Sequence, residues 1–186
     1  MKTKGLVLSG LTILLASILA GCSRGNDSSS KKSKDDNTKI VKVEKRKSDK
    51  YYFKNNKLVI RDIDIEITKT KVIPVGEVGN EYGDKPIIAF WYKVTNKTTK
   101  EIDANTAWIA VFNAVQNNNK NTVNKLDVAA LPDEKYLDSQ TQTIKKNGIV
   151  ENAVAYNLDD TTTPVKLTAT KGVGGKNIGT MTFKLQ

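Results

Sequence analysis

Residues 57–69 read KLVIRDIDIEITK. Val59, Ile63, Ile65 and Ile67 fall on one side of an extended chain; Asp62, Asp64 and Glu66, with Thr68, fall on the other. A period of two marks a strand with one face buried and one face in water. The stretch predicts a half-buried antiparallel strand, and so a domain organised by sheets. Just before it, Tyr51-Tyr52-Phe53 and Lys54-Asn55-Asn56-Lys57 predict a short strand and a tight hairpin turn.

Working outward from there, Pro74, Gly76, Gly79, Gly83 and Pro86 predict a loop over 74–86. Ile87 to Val94 is apolar on both faces, as a central strand is, and Asn96 to Lys100 turns the chain. Residues 107–115, AWIAVFNAV, are rich in β-branched and aromatic residues and read as a strand, with room for a helical turn before it. A polar hairpin region follows over 116–126, and a short helical turn fits 127–138. Lys145 to Gly148 turns into a strand over 149–158, with Val150, Val154, Tyr156 and Leu158 on one face. Val165, Leu167 and Ala169 alternate in the next strand, and Gly179, Met181, Phe183 and Leu185 in the last. Seven or eight strands separated by turns predict an all-β domain, an immunoglobulin-like two-sheet β-sandwich, with a small barrel as the alternative.

The strands carry a family resemblance. Val94-Thr95-Asn96-Lys97-Thr98 closes the aromatic strand, and Ile144-Lys145-Lys146-Asn147-Gly148 forms a turn. Ala155-Tyr156-Asn157-Leu158-Asp159-Asp160 is followed by Thr163-Pro164-Val165. In these features residues 51–186 resemble the immunoglobulin-like domains of Gram-positive surface lipoproteins, the DUF5067 family and its DUF4352-like relatives. The resemblance implies an exported sandwich and no particular catalysis. It departs after Gln116, where Asn117-Asn118-Asn119-Lys120 stands in place of the acidic-glycine turn of relatives. A partner site formed there in relatives would be altered.

The N-terminal segment reads as an address. Lys2 and Lys4 precede 15 uncharged, mainly apolar residues from Gly5 to Leu19. That is shorter than the roughly 20 residues of a membrane-spanning helix and fits an export signal over 1–21. Leu19-Ala20-Gly21-Cys22 resembles a lipobox. Such a motif implies cleavage between Gly21 and Cys22 and a diacylglyceryl group, its chains such as palmitate, on the cysteine sulfur. Residues 22–50 then form a lipidated cysteine and a disordered basic tether. Within 23–50 there are ten basic and five acidic residues and few large apolar ones, too few to offset the entropy of ordering. The +10 net charge of the 186-residue chain thus lies mostly outside the folded part, which carries +3 over residues 51–186.

Composition excludes several functions. There is no histidine and only one cysteine. A disulfide within the chain, a His/Cys zinc site and histidine-based catalysis are ruled out. No catalytic, metal or cofactor residues are expected, and the chain is not expected to be an enzyme. Asp62, Asp64 and Glu66 read as a solvated face, Asp159-Asp160 as a turn, and Gly172, Gly174 and Gly175 as a loop without the Lys-Ser/Thr and helix of a phosphate loop. Ser139 has no basic partner in a Ser-x-x-Lys motif. Trp91, Tyr92 and Trp108 read as core rather than as a sugar-binding platform. Asn96-Lys97-Thr98 matches an N-glycosylation acceptor, but the bacterial lipoprotein context implied by the resemblance argues against its use. The loops at 74–86 and 116–148 are the better surface for a partner.

The expected function is therefore a lipoprotein held at the cell membrane through Cys22, facing the extracellular side, acting as a binding or interaction module. Its expected partners are membrane lipid and a surface protein or anionic wall polymer, not nucleic acid. A structural or stress-related envelope lipoprotein without specific ligand is the alternative, and a histidine-free hydrolase a more distant one.

Overall fold

The computed structural model describes residues 51–185. The export signal, the Gly21/Cys22 cleavage site and the tether lie outside the described residues. Among the described residues nine antiparallel strands form two sheets. The first has the order β1 (Tyr52–Lys54), β2 (Lys57–Val59), β3 (Ile63–Ile73), β4 (Ile87–Asn96), β7 (Ile149–Asn157). The second has the order β6 (Asn124–Lys125), β5 (Phe112–Gln116), β8 (Val165–Thr170), β9 (Asn177–Phe183). One helix, α1 (Ala104–Val111), carries the chain from β4 to β5. The expected two-sheet sandwich is the fold, and β4 is central, between β3 and β7.

The quoted stretch 57–69 corrects one expectation: it is two strands. The chain reverses through Ile60, Arg61 and Asp62, and Leu58 then lies opposite Ile65. Leu58 and Ile65 are both fully buried, whereas Val59 pairs with Asp64 and is only half-buried. The alternation of Ile63, Ile65 and Ile67 holds; the reversal changes the face only for the residues before it. The preceding turn is as expected. Asn55 and Asn56 both have positive φ (51° and 61°), the conformation of a tight two-residue hairpin.

A second correction concerns 107–115. Residues 104–111 are helical, and the strand begins only at Phe112. Asp103 caps the helix, its Oδ1 accepting the Thr106 amide at 2.7 Å. Ala104, Ala107, Trp108 and Val111 are the buried residues, spaced three and four apart, so the segment has a helical stripe. Its β-branched and aromatic content masks that stripe.

Trp108 stands at the centre of the core. Its ring lies 4.4 Å from Tyr92 and from Phe112 and 5.6 Å from Phe90, centroid to centroid. Its indole Nε1 donates to Tyr156 Oη at 2.8 Å, and Tyr92 Oη donates to the Ala104 carbonyl. The polar ends of these aromatics are thus satisfied inside the sandwich, as burial requires. Burial pushes the Tyr156 hydroxyl up to about 12 and the Tyr92 hydroxyl higher still.

Candidate functional site

The outer face of β3 would carry an error without one local irregularity. Strict alternation from Ile63 would place Lys69 and Lys71 on the core side with Ile65 and Ile67. Between Ile67 and Lys69 the register with β4 shifts by one residue at Thr68. This bulge sends Lys69, Lys71 and Ile73 outward and turns Thr70 and Val72 toward the core, avoiding the burial of two ammonium groups. Thr68 Oγ1 donates to the Trp91 carbonyl across the bulge.

Above this outer face a second, smaller apolar cluster forms. Ile73, Ile87, Ala89 and Ala155 are buried there, with Trp91 and Ala129 packed against them. The three alanines allow a chain segment to lie close over the sheet. Residues 127–129 first pair along the free edge of β7, the Ala129 amide donating to the Ala155 carbonyl and the Asn157 amide to the Asp127 carbonyl, both at 2.9 Å, and the Ala129 side chain packs against the cluster.

The loop 74–86 comes down beside this segment. Its shape is held by Asn80, buried, whose Nδ2 donates to the carbonyls of Ile73 and Lys85. The loops touch at Gly79 and Pro132. Gly79 has φ +92°, and a Cβ there would stand 2.4 Å from the Pro132 carbonyl oxygen. Gly79→Ala is therefore expected to lower stability by about 1–3 kcal/mol and to push the loops apart. Thermal melting and the accessibility of Trp91 to acrylamide quenching check both effects.

Between the loops lies a cleft of about 720 Å³. Trp91 lines it, half-buried, with its Nε1 donating to Asp133 Oδ2 at 3.0 Å and Lys69 Nζ 4.6 Å from its ring centroid. Tyr82 and Val78 stand at the rim, 100% and 82% exposed. Exposed residues of this size, gathered beside a concave surface, are the usual sign of recognition. The two segments singled out as a partner surface, 74–86 and part of 116–148, are thus brought together by the fold. The rest of 116–148 is not part of the cleft.

Tyr92 and Trp108 are core; Trp91 is not, and here the expectation of core packing for all three is corrected. Its position on β4 alternates with Phe90 and Tyr92, so it points to the opposite face. Asp62 pairs with Arg61 and Lys100, and Asp64 with Lys97, at 2.7–2.8 Å. Glu66 stands opposite Lys57 and Lys93. The acidic row is a face answered by basic groups, and Arg61 and Lys100 hold the Asp62 carboxyl at about 2. Ser139 Oγ donates to the carbonyls of Tyr136 and Glu151, a structural role. Gly172 to Gly175 turn β8 into β9, with Gly172 and Gly174 at positive φ. Asn96 is fully buried: Nδ2 donates to the carbonyls of Lys100 and Ile144, and Oδ1 accepts from Thr98. Its amide is closed to a glycosylating enzyme in the folded protein.

Two buried amides tie together the motifs that carry the family resemblance. Asn96 binds the turn that begins at Ile144. Gln116 binds the Asp159-Asp160 turn: its Nε2 donates to the Asp160 and Thr163 carbonyls and its Oε1 accepts the Asp159 amide. In that turn Asp160 accepts the amides of Thr163 and Thr162, which hold its carboxyl well below the usual carboxylate range. A carboxyl with a depressed folded value adds stability above its unfolded value, roughly 4, and loses it as pH falls through the folded one. The melting temperature is expected to drop below about pH 4, and less steeply in Asp160→Asn than in the wild type.

A family model described as a domain of unknown function, DUF5067, matches residues 26–171. The chain belongs to the DUF5067 family. The fold of this DUF5067 chain is shared by solved structures of low identity. A Staphylococcus aureus structure described as a "putative lipoprotein" is 21% identical, covering 73% of this chain and 92% of that one, with a TM-score of 0.62. An Enterococcus faecalis protein solved by NMR is 17% identical, covering 73% and 94%, with a TM-score of 0.55. Both likenesses are of fold. A search of the curated proteins gave no match to this DUF5067 chain.

Proposed function

We propose that this DUF5067 protein is an exported lipoprotein, acylated at Cys22, anchored in the cell membrane and facing outward. In this reading the sandwich is a non-catalytic binding module, and its ligand enters the cleft between 74–86 and 128–135. Support for the anchor comes from the Leu19-Ala20-Gly21-Cys22 sequence and the polar tether behind it. The Staphylococcus aureus protein of the same fold, described as a "putative lipoprotein", is consistent with it. The observation that carries the binding site is the meeting of two loops around Trp91, with Tyr82 fully exposed at their rim.

The test places a photo-cross-linking residue at Tyr82 or, as a control, at Thr99 beyond the opposite end of β4. Both variants of the tagged full chain are irradiated on intact cells. A discrete adduct from position 82, absent from position 99, is the expected result. No adduct, or the same adduct from both positions, overturns the cleft as the binding site.

A further inference from the structure

The charge of the domain is unevenly divided between its two sheets. Residues 104–126 and 161–186, which supply all of the four-stranded sheet, contain no Asp or Glu. They contain six lysines: Lys120, Lys125, Lys166, Lys171, Lys176 and Lys184. Since residues 51–186 carry +3 in total, the remainder of the domain carries −3. Among the described residues, the ion pairs use none of these six lysines. By contrast, Lys93 on β4 and Lys97 and Lys100 in the turn that follows it each face a carboxylate.

We propose that the outer face of the four-stranded sheet is a docking surface for a linear polymer bearing repeated phosphates. The register sets the lysines out across the strands. Val115 on β5 lies between Lys125 on β6 and Lys166 on β8, and Lys166 lies beside Thr182 on β9. All of these point away from the core, which places Lys125 and Lys166 two strand spacings apart, about 10 Å. The next row is Asn113, Thr168 and Thr180, with the two threonine hydroxyls 3.1 Å apart. Lysines supply point charges for phosphate, and the hydroxyl and amide groups supply donors to its oxygens.

The same face argues against other anionic partners. Val115 is the single large apolar residue pointing outward from these rows, so there is little to bury in a bilayer. Among the described residues no aromatic side chain stands in these strand rows to stack bases, as proteins that hold single-stranded nucleic acid use. The nearest carboxylates, Asp159 and Asp160, are at the rim and engaged by Asn124, Asn118 and the Thr162 and Thr163 amides. At the other end Lys171 Nζ lies 4.3 Å from the ring centroid of Tyr51.

The test titrates the full chain against end-labelled long-chain polyphosphate over a salt series. Combining Lys125→Gln and Lys166→Gln with Lys184→Gln, just past β9 and continuing the exposed alternation of Thr180 and Thr182, is expected to weaken binding at least about tenfold at low salt. It should also flatten the slope of log K against log salt by about 2, since each lost phosphate contact removes about 0.7. Lys57→Gln, Lys93→Gln and Lys100→Gln together, from the other sheet, are expected to leave both unchanged. The melting temperature of each variant shows that it is folded. Wild-type protein that does not bind, or a triple variant of the first kind that binds as the wild type does, overturns the proposal. So does equal binding to anionic phospholipid vesicles that is lost with the same three lysines, which would assign the face to a membrane.

Discussion

Ile65→Asp is expected to remove a large part of the stability of the folded domain. Ile65 is fully buried in the middle of β3, between Leu58 on β2 and Val94 on β4, both fully buried as well. Losing the apolar side chain costs about 1.5–3 kcal/mol, and placing a carboxyl in that environment without a partner adds to it. A total of roughly 2–5 kcal/mol is a large share of the 5–15 kcal/mol that holds a typical domain together. The deficit should shrink as the solution is acidified, because a neutral carboxyl is less costly to bury than a charged one. Thermal melts of the variant beside Glu66→Gln, one residue along on the outward face, provide the comparison. The second change should stay within about 0.5 kcal/mol of the wild type. Near-equal melting of the two would reverse the facing assigned to β3.

That facing is where the sequence is most transparent. β3, β8 and β9 alternate because one side of each strand meets the other sheet and the other meets water. β4 shows apolar residues on both sides because it is covered on both, by the core and by the smaller cluster around Ile73 and Ala89. Alternation carries no mark of direction, however, so a reversal such as that at Ile60–Asp62 is hidden when apolar residues continue through it. Helix α1 is hidden for a related reason. Eight residues give about two turns, and Trp, Ile and Val within them weigh toward strand by propensity. Tertiary burial of the 104/107/108/111 stripe and the Asp103 cap decide the outcome.

The cleft was legible only as its parts. Glycine and proline mark 74–86 as a loop, but nothing local says which other segment it will meet. The usable signal is on the strands. Ala89, Ala153 and Ala155 occupy outward positions of two neighbouring strands, where water would favour polar or β-branched residues. Small buried residues on a sheet's outer face mean that something lies over it. Here that is the chain from Ala129 to Asp133, which packs against the small cluster and bonds the Trp91 indole, leaving Trp91 in the wall of the cleft. The lysines at 69 and 71 carry the second signal: their place in an otherwise apolar alternation calls for a bulge before them.

Cys22→Ala is expected to abolish anchoring while leaving the sandwich unchanged. The proposed thioether needs the cysteine sulfur, and alanine offers no nucleophile in its place. Two acyl chains hold a protein to a bilayer stably where one gives only marginal binding, and without them the basic tether alone must act. Attraction of lysines to anionic lipid is worth about 1 kcal/mol each near the surface and is weakened by salt. The variant should therefore leave the membrane fraction on washing at high salt, and lack the lipid mass increment by mass spectrometry. Among the described residues the buried core runs from Phe53 to Ala169 and forms a sandwich of its own, so the melting temperature of the domain is expected to match the wild type. Cys22→Ser should behave as Cys22→Ala, because a hydroxyl does not replace the thiolate in this chemistry. A variant that keeps both the wild-type mass shift and a salt-resistant membrane association would show that the anchor is elsewhere, and the reading of residues 19–22 as a lipobox would fall with it.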